Sequence, residues 1–198
     1  MSNTNKTLAL VTKENAICIV GKGGSGKTRI LEEIYREAED NWEGNVLFIH
    51  APSRIRESYP SFIVNERRNI EDMSEEISML EGNFNEGVNS SKEIIGIVHT
   101  FLKNGVITRG TLIIVDSLDA LMDTKDMKIL LSLFNTMMNK KEIAIALSVS
   151  SILGVRAVES NLSSLDFFEV KRDEKAIMEK KEKSEEVYSF FLSLMEDL

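Results

Sequence analysis

Short runs of apolar residues alternate along this chain with longer segments in which apolar residues recur every three or four positions. The apolar runs cover 16–20 (AICIV), 46–49 (VLFI), 112–115 (LIIV) and 143–147 (IAIAL), and 167–170 is a fifth candidate. Continuous apolar runs of this length are typical of strands that are buried on both faces, as in a parallel sheet.

Helical periodicity separates these candidate strands. Apolar residues lie at helical spacing over 30–38, 70–80, 94–102 and 127–138. Amphipathic helices that alternate with all-apolar strands predict an α/β fold with a mainly parallel central sheet of five or more strands. Residues 53–64 and 82–91 show neither pattern, and we predict irregular loops there.

The last part of the chain has a different pattern. Residues 171–186 are highly charged, which favours a solvated helix face. An apolar stripe at offsets of 0, 3, 4, 7, 8 and 11 follows and predicts a C-terminal amphipathic helix; its members are Val187, Phe190, Phe191, Leu194, Met195 and Leu198. The stripe packs either on the chain's own sheet or on a neighbouring subunit or partner. We therefore divide the chain into a main domain at 1–174 and a charged spacer with the C-terminal helix at 175–198.

A glycine-rich segment follows the first candidate strand and precedes the first candidate helix. Its residues, Gly21, Lys22, Gly23, Gly24, Ser25, Gly26, Lys27 and Thr28, fit the pattern G-x-x-x-x-G-K-[ST]. Glycines allow successive backbone N–H groups to point inward at a phosphate, and the helix N-terminus adds positive potential. In such a loop Lys27 reaches the β- and γ-phosphates as the candidate catalytic residue, and the Thr28 hydroxyl ligates Mg²⁺. The alternative is an ordinary glycine-rich turn between a strand and a helix.

An acidic residue ends the third candidate strand. Asp116 follows 112–115 directly and is followed by Ser117. Open α/β sheets bind ligands at the carboxyl ends of their strands, so Asp116 is the second candidate Mg²⁺ ligand, directly or through water. Its alternative role is to cap the next helix.

Together the two motifs resemble a known family. Residues 21–28 followed by LIIVDSLDAL (112–121) are similar to the Walker A and Walker B pair of the RecA/KaiC-like P-loop ATPases. The resemblance extends to 145–151 and, more loosely, to 161–174. It implies a RecA-like sandwich fold, ATP with Mg²⁺ as cofactor, and a homo-oligomer or a complex with a protein partner. The short chain resembles single-domain members such as the archaellum regulatory ATPase.

Two further features bear on function under this resemblance, and a third supports a rival resemblance. Lys171 and Arg172 are similar in placement to basic residues that act in trans in a neighbouring subunit's site; the alternative is solvated charge. Ser148 and Ser150 are candidate γ-phosphate sensors. The segment 22–28 also matches the deviant Walker A motif of ParA/MinD-like ATPases, in which the first lysine, here Lys22, acts across a dimer.

One departure from the family pattern concerns hydrolysis. KaiC-like hydrolases carry one or two glutamates at the end of the second strand, where this chain has His50, Ala51 and Pro52. His50 is either a base or a structural residue that caps the strand, and the nearest acid, Glu57, lies in the predicted loop. We therefore expect an ATP-binding regulatory or scaffold subunit with weak hydrolysis. The alternatives are an active KaiC/RecA-type oligomer or a ParA/MinD-like positioning ATPase.

Composition and charge limit the classes of protein and the cellular locations that fit this chain. The chain has 198 residues, 42% of them hydrophobic, which suits one globular core. Its 24 basic and 32 acidic side chains give a net charge of −8, which argues against sequence-independent nucleic-acid binding. Cys18 is the single cysteine, so disulfides are excluded and its simplest role is that of a small hydrophobe. Neither a membrane span nor a secretory signal is expected, and the predicted location is cytoplasmic.

Overall fold

The computed structural model describes residues 7–50, 62–65, 91–121, 124–171, 177–181 and 185–189. Its strands are β1 (Ala16–Val20), β2 (Val46–His50), β3 (Phe62–Asn65), β4 (Leu112–Asp116), β5 (Ala144–Val149), β6 (Leu165–Lys171) and β7 (Ile177–Lys181). Its helices are α1 (Lys27–Asn41), α2 (Ser91–Lys103), α3 (Thr124–Lys141) and α4 (Ile152–Asn161), with short 3-10 turns at Leu8–Leu10 and Leu118–Leu121.

The described strands form one sheet in the order β3-β2-β4-β5-β1-β6-β7. The five central strands, β2, β4, β5, β1 and β6, run parallel, while the edge strands β3 and β7 are antiparallel to their neighbours. The predicted α/β fold with a mainly parallel sheet is therefore confirmed.

Alternate residues of each buried strand enter different apolar layers. Ile17 and Ile19 of β1 pack with Leu31 and Ile34 of α1 on one face of the sheet. Cys18 and Val20 belong to the layer on the other face, which contains residues from α2, α3 and α4. Because both faces are covered, the strands read as continuous apolar runs with no polar alternation.

The strand register brings the carboxyl ends of the central strands to one rim. Val20 is level with Val149, and His50 is level with Asp116. Strand β5 lies between β1 and β4, so along the rim the end of β5 lies between the ends of these two strands. The site must therefore include the tip of β5 as well as the two predicted motifs.

Two predictions about the edges of the sheet are wrong. Residues 53–64 were expected to form an irregular loop, and residues 62–64 instead belong to β3, because pairing with β2 gives their backbone groups hydrogen-bond partners. Residues 177–181 were expected on a solvated helix and instead form β7. In the pairing of β7 with β6, Lys180 and Lys181 are level with Phe168 and Phe167, and each lysine reaches an acid diagonally across the strands: Lys180 contacts Asp166 at 3.0 Å, and Lys181 contacts Glu169 at 2.9 Å.

The described start of the C-terminal helix packs on the chain itself. Residues 185–189 are helical, and the Val187 side chain is fully buried in the core. The Tyr188 hydroxyl donates a hydrogen bond to Glu159 of α4, and the Arg156 guanidinium lies 5.7 Å from the Tyr188 ring centroid. These contacts agree with internal packing of the first turn of the stripe. Its members from Phe190 onward, like the predicted helix at 70–80, lie outside the described residues, and the domain boundary at 174 stays a prediction.

We predict that Val187→Ala lowers the free energy of unfolding by about 2 kcal/mol, because it removes two buried methyl groups and leaves a cavity. Glu186→Ala, at an exposed neighbouring position, is the matched control and should change it by less than about 0.5 kcal/mol. Urea denaturation measures both. Truncation after Ser184 should lose at least as much stability as Val187→Ala. A truncated chain with unchanged stability and fewer chains per particle in solution would instead show that the segment mediates association.

Candidate functional site

The glycine-rich loop joins the end of β1 to the start of α1. Gly24 and Gly26 have φ angles of 75° and 103°, a left-handed backbone that side-chain-bearing residues rarely adopt. Gly26 is the N-cap of α1, and its carbonyl accepts the hydrogen bond from the Ile30 amide at 3.1 Å. The first amides of α1 have no partner within the helix, so the loop ends on a cluster of donors at the positive end of a helix dipole.

The start of the loop has no room for a side chain. A Cβ atom on Gly21 would lie 2.6 Å from the Ser25 hydroxyl and 3.1 Å from the Val170 carbonyl oxygen of β6. The Ser25 hydroxyl is itself buried and has no hydrogen-bond partner among the described residues. A buried hydroxyl without a partner is costly, and a phosphate oxygen bound in the loop would satisfy it. The loop therefore fits a phosphate group.

Lys27 folds back over this loop. Its ammonium group donates to the carbonyl oxygens of Gly21 and Lys22, both at 2.8 Å, and the residue is only 6% exposed. Burial lowers the pKa of Lys27, and the negative charges of Asp119 and Asp116 oppose that lowering. The structure thus holds a partly desolvated cation against the glycine-rich loop.

Thr28 and Asp116 meet although 88 residues separate them in sequence. The Thr28 hydroxyl donates to Asp116 Oδ2 at 2.8 Å. Asp116 ends β4 and is 5% exposed. A hydroxyl paired with a carboxylate at a phosphate-binding loop is a donor set that suits Mg²⁺, which commonly takes one or two carboxylates together with phosphate oxygens and water.

Ser148 of β5 lies behind Asp116. Its hydroxyl donates to Asp116 Oδ1 at 2.7 Å and accepts a hydrogen bond from the Ser117 amide at 2.7 Å. Ser117 has a φ of 56°, a strained conformation that the second bond helps to hold. With its hydroxyl hydrogen-bonded to these two partners and its surface fully buried, Ser148 holds the Asp116 carboxylate in place; its role as a γ-phosphate sensor stays a prediction.

Asp119 is a further residue of this rim, and sequence reasoning missed it. It lies in the 3-10 turn after β4, and its Oδ2 accepts a hydrogen bond from the Ser150 amide at 2.7 Å. Helix α4 approaches it so closely that a Cβ on Gly154 would lie 2.8 Å from the Asp119 Cβ. The available signal was the spacing of two acids, Asp116 and Asp119, directly after a buried strand.

The remaining predicted residues are placed only in part. His50 ends β2 beside Asp116, and Lys171 ends β6, but their side chains lie outside the described set. Ala51, Pro52, Glu57 and Arg172 also lie outside it. Cys18 is fully buried, and burial raises the pKa of its thiol, in agreement with a role as a small hydrophobe. In the described ranges no three His, Cys, Asp or Glu residues group as a metal site, and no helix has the length and apolarity to cross a membrane.

Solved structures with a similar fold include a KaiC-like protein, the group named by the resemblance in the sequence. That protein, from the hyperthermophilic archaeon Pyrococcus horikoshii, is 9% identical over 88% of this chain and 84% of its own, with a TM-score of 0.48. A second solved structure, described as an ATPase domain, is 14% identical over 79% of this chain and 70% of its own, with a TM-score of 0.45. A Drosophila ORC structure bound to DNA is 16% identical over 84% of this chain and 86% of its own, with a TM-score of 0.44. No family model and no curated protein matches the sequence.

We predict that Ser148→Ala lowers the free energy of unfolding by about 1–3 kcal/mol, because it leaves the buried Asp116 carboxylate short of a donor. Ser150→Ala is the matched control: it removes the same hydroxyl two residues further along, at an exposed position. That change should stay within about 0.5 kcal/mol. Chemical denaturation of both variants makes the comparison, and equal losses would contradict the positioning role of Ser148.

Proposed function

We propose that this protein binds Mg²⁺-ATP through Gly21–Thr28 and Asp116, as a RecA/KaiC-like regulatory or scaffold subunit with weak intrinsic ATP hydrolysis. The observation that carries the proposal is the 2.8 Å hydrogen bond from Thr28 to Asp116. It joins the glycine-rich loop to the acid at the end of β4, the two parts that a magnesium nucleotide site requires.

Different groups of the chain bind the phosphates and the metal. The amides of the loop and of the first turn of α1 donate to phosphate oxygens, and the Ser25 hydroxyl becomes a further donor. Lys27 turns from the carbonyls of Gly21 and Lys22 to the β- and γ-phosphates. Thr28 and Asp116 would hold Mg²⁺, which would neutralise phosphate charge when bound.

Weak hydrolysis is supported by the hydrogen bonds of the described rim carboxylates, which are made to other groups of the protein. Asp116 accepts hydrogen bonds from Thr28 and Ser148, and Asp119 accepts one from the Ser150 amide. A general base needs a carboxylate or imidazole that can reach the attacking water. His50 has a place on the same rim through its register with Asp116, and it remains the candidate base of an active enzyme.

A partner or a second copy is part of the proposal. Strand β6 runs beside β1 with Glu169 level with Val20, so its last residue, Lys171, reaches the rim that carries the loop, and we propose that Lys171 and Arg172 act in trans. From this position they would supply positive charge to the site of a neighbouring subunit. We propose ATP-dependent association in the cytoplasm with another copy or a protein partner, and no sequence-independent binding to nucleic acid.

Mg²⁺-ATP should stabilise the wild-type protein, because a ligand that binds only the native state shifts the folding equilibrium toward it. At a concentration 100-fold above Kd the gain is about 2.7 kcal/mol, measured as the shift of a urea or thermal unfolding curve. Lys27→Ala should remove most of the shift. Lys140→Ala, an exposed lysine at the end of α3, should retain it. A full shift in Lys27→Ala would place the nucleotide elsewhere.

Mg²⁺ dependence tests the role of the Thr28 and Asp116 pair. Chelating Mg²⁺ with EDTA should weaken ATP binding to the wild type, while Asp116→Asn should bind ATP with nearly the same affinity in both conditions, because it lacks the negative charge with which Asp116 would bind the metal. Isothermal titration gives the four dissociation constants. Asp116→Asn with a wild-type response to EDTA would exclude Asp116 as a ligand.

Steady-state phosphate release separates the scaffold subunit from an active ATPase. We expect the isolated wild type to release phosphate at a rate close to that of Lys27→Ala. Turnover well above this blank would favour the alternatives. Among these, the ParA/MinD-like ATPase has one supporting observation, the exposed side chain of Lys22. Loss of activity in Lys22→Ala, restored by mixing with Lys27→Ala, would identify a lysine acting across a dimer.

A further inference from the structure

A charged side chain lies in an apolar layer directly below the rim. Val149, Val20 and Glu169 are level with one another on the neighbouring strands β5, β1 and β6. Both valines and Phe167, which shares a face of β6 with Glu169, belong to the layer that contains α4. Glu169 is itself buried. A buried carboxylate is costly unless an opposite charge compensates it.

This carboxylate lies close to the start of the glycine-rich loop. Gly21 follows Val20 directly, and Val170 follows Glu169. A Cβ on Gly21 would lie 3.1 Å from the Val170 carbonyl oxygen, so the end of β6 is in close contact with the loop. Neighbouring strands are about 4.8 Å apart, which places Glu169 within about 10 Å of the first loop residues.

Lys181 of the edge strand β7 supplies the opposite charge. Its ammonium group lies 2.9 Å from Glu169 Oε2, and the two side chains are 13% and 4% exposed. Lys181 is level with Phe167, two residues before Glu169 along β6, so it reaches the carboxylate from the side away from the rim. The pairing therefore compensates the charge of Glu169 and holds its carboxylate back from the loop.

A second ion pair joins the same two strands and provides a comparison. Lys180 lies 3.0 Å from Asp166 Oδ1, but these side chains are 55% and 25% exposed. Asp166 is level with Ile17, three residues before Val20, and so lies further from the loop than Glu169 does. Solvent and salt screen an exposed pair strongly, so this second pair has little effect on the charge at the loop.

We propose that Lys181 is a positioning residue of the nucleotide site: it holds and neutralises the Glu169 carboxylate, which would otherwise repel the phosphates bound in the loop. Charges buried in a protein act on one another over about 10 Å with little screening. The inference rests on the proposed function and extends it, because it makes nucleotide affinity depend on a lysine two strands away from β1. Pairing of β7 with β6 and nucleotide binding then favour each other.

Dissociation constants for Mg²⁺-ATP, measured by titration calorimetry on the full chain, test the proposal through the direction of each change. Lys181→Met should weaken binding by about fivefold or more, because it leaves the Glu169 charge uncompensated near the loop. Glu169→Gln should bind with wild-type affinity or more tightly, because it removes the repelling charge and leaves the Lys181 ammonium group. The double variant should return to within about twofold of the wild type, because it carries neither charge.

The control is Lys180→Met, which breaks the exposed ion pair of the same strands and should stay within about twofold of the wild type. Because Lys181→Met leaves a buried carboxylate unpaired, urea denaturation first establishes that it is folded under the titration conditions. Lys181→Gln decides the matter if it is not. Its amide can still donate a hydrogen bond to Glu169 while the positive charge is gone, so it should also weaken ATP binding.

A purely structural role of the ion pair predicts a different result, in which Lys181→Met and Glu169→Gln weaken ATP binding alike. That result, or wild-type affinity in a folded Lys181 variant, would overturn the inference and leave the proposed function intact. A wild type that binds no Mg²⁺-ATP would overturn the proposed function and this inference with it.

Discussion

The candidate site depends on the parallel alignment of β1, β5 and β4, whose carboxyl ends meet at one rim of the sheet. Backbone hydrogen bonds fix this register, and both faces of each strand are sealed by apolar side chains. A slip by one residue would turn every buried side chain to the opposite face, so the register is strongly specified. The Thr28–Asp116 contact exists because this alignment brings α1 and β4 to the same place.

The rim collects polar groups at the border of an apolar core, and each of them has a cost that its neighbours offset. Lys27 is desolvated and is held by two loop carbonyls. Asp116 is buried and accepts hydrogen bonds from Thr28 and Ser148. The Ser25 hydroxyl has no such compensation among the described residues. In a buried polar network a member without a partner carries a high cost, so the Ser25 hydroxyl is the costly exception at this rim.

The β7 edge of the sheet is stabilised by charge as well as by backbone pairing. Glu169 is 3% exposed and would be costly as an isolated carboxylate. Lys181 of the edge strand reaches it at 2.9 Å and is itself mostly buried. Breaking such a pair leaves one charge buried alone, which is strongly destabilising. The ion pair therefore holds β7 against β6, the strand whose end lies beside the glycine-rich loop.

The sequence by itself determined the fold class and the two motifs of the site. Continuous apolar runs identify strands covered on both faces, and glycines followed by Lys27 and Thr28 have few uses other than binding phosphate. These signals are local, since each lies within a few neighbouring residues. The tertiary structure decided what depends on pairing between distant segments. The edge strands at 62–65 and 177–181 were missed because their stability comes from β2 and β6, and the charges of β7 are satisfied only across the sheet. The contacts of Ser148 and Asp119 follow from the position of β5 between β1 and β4. The two acids after a buried strand are visible in the sequence, but their hydrogen-bond partners about thirty positions away are not.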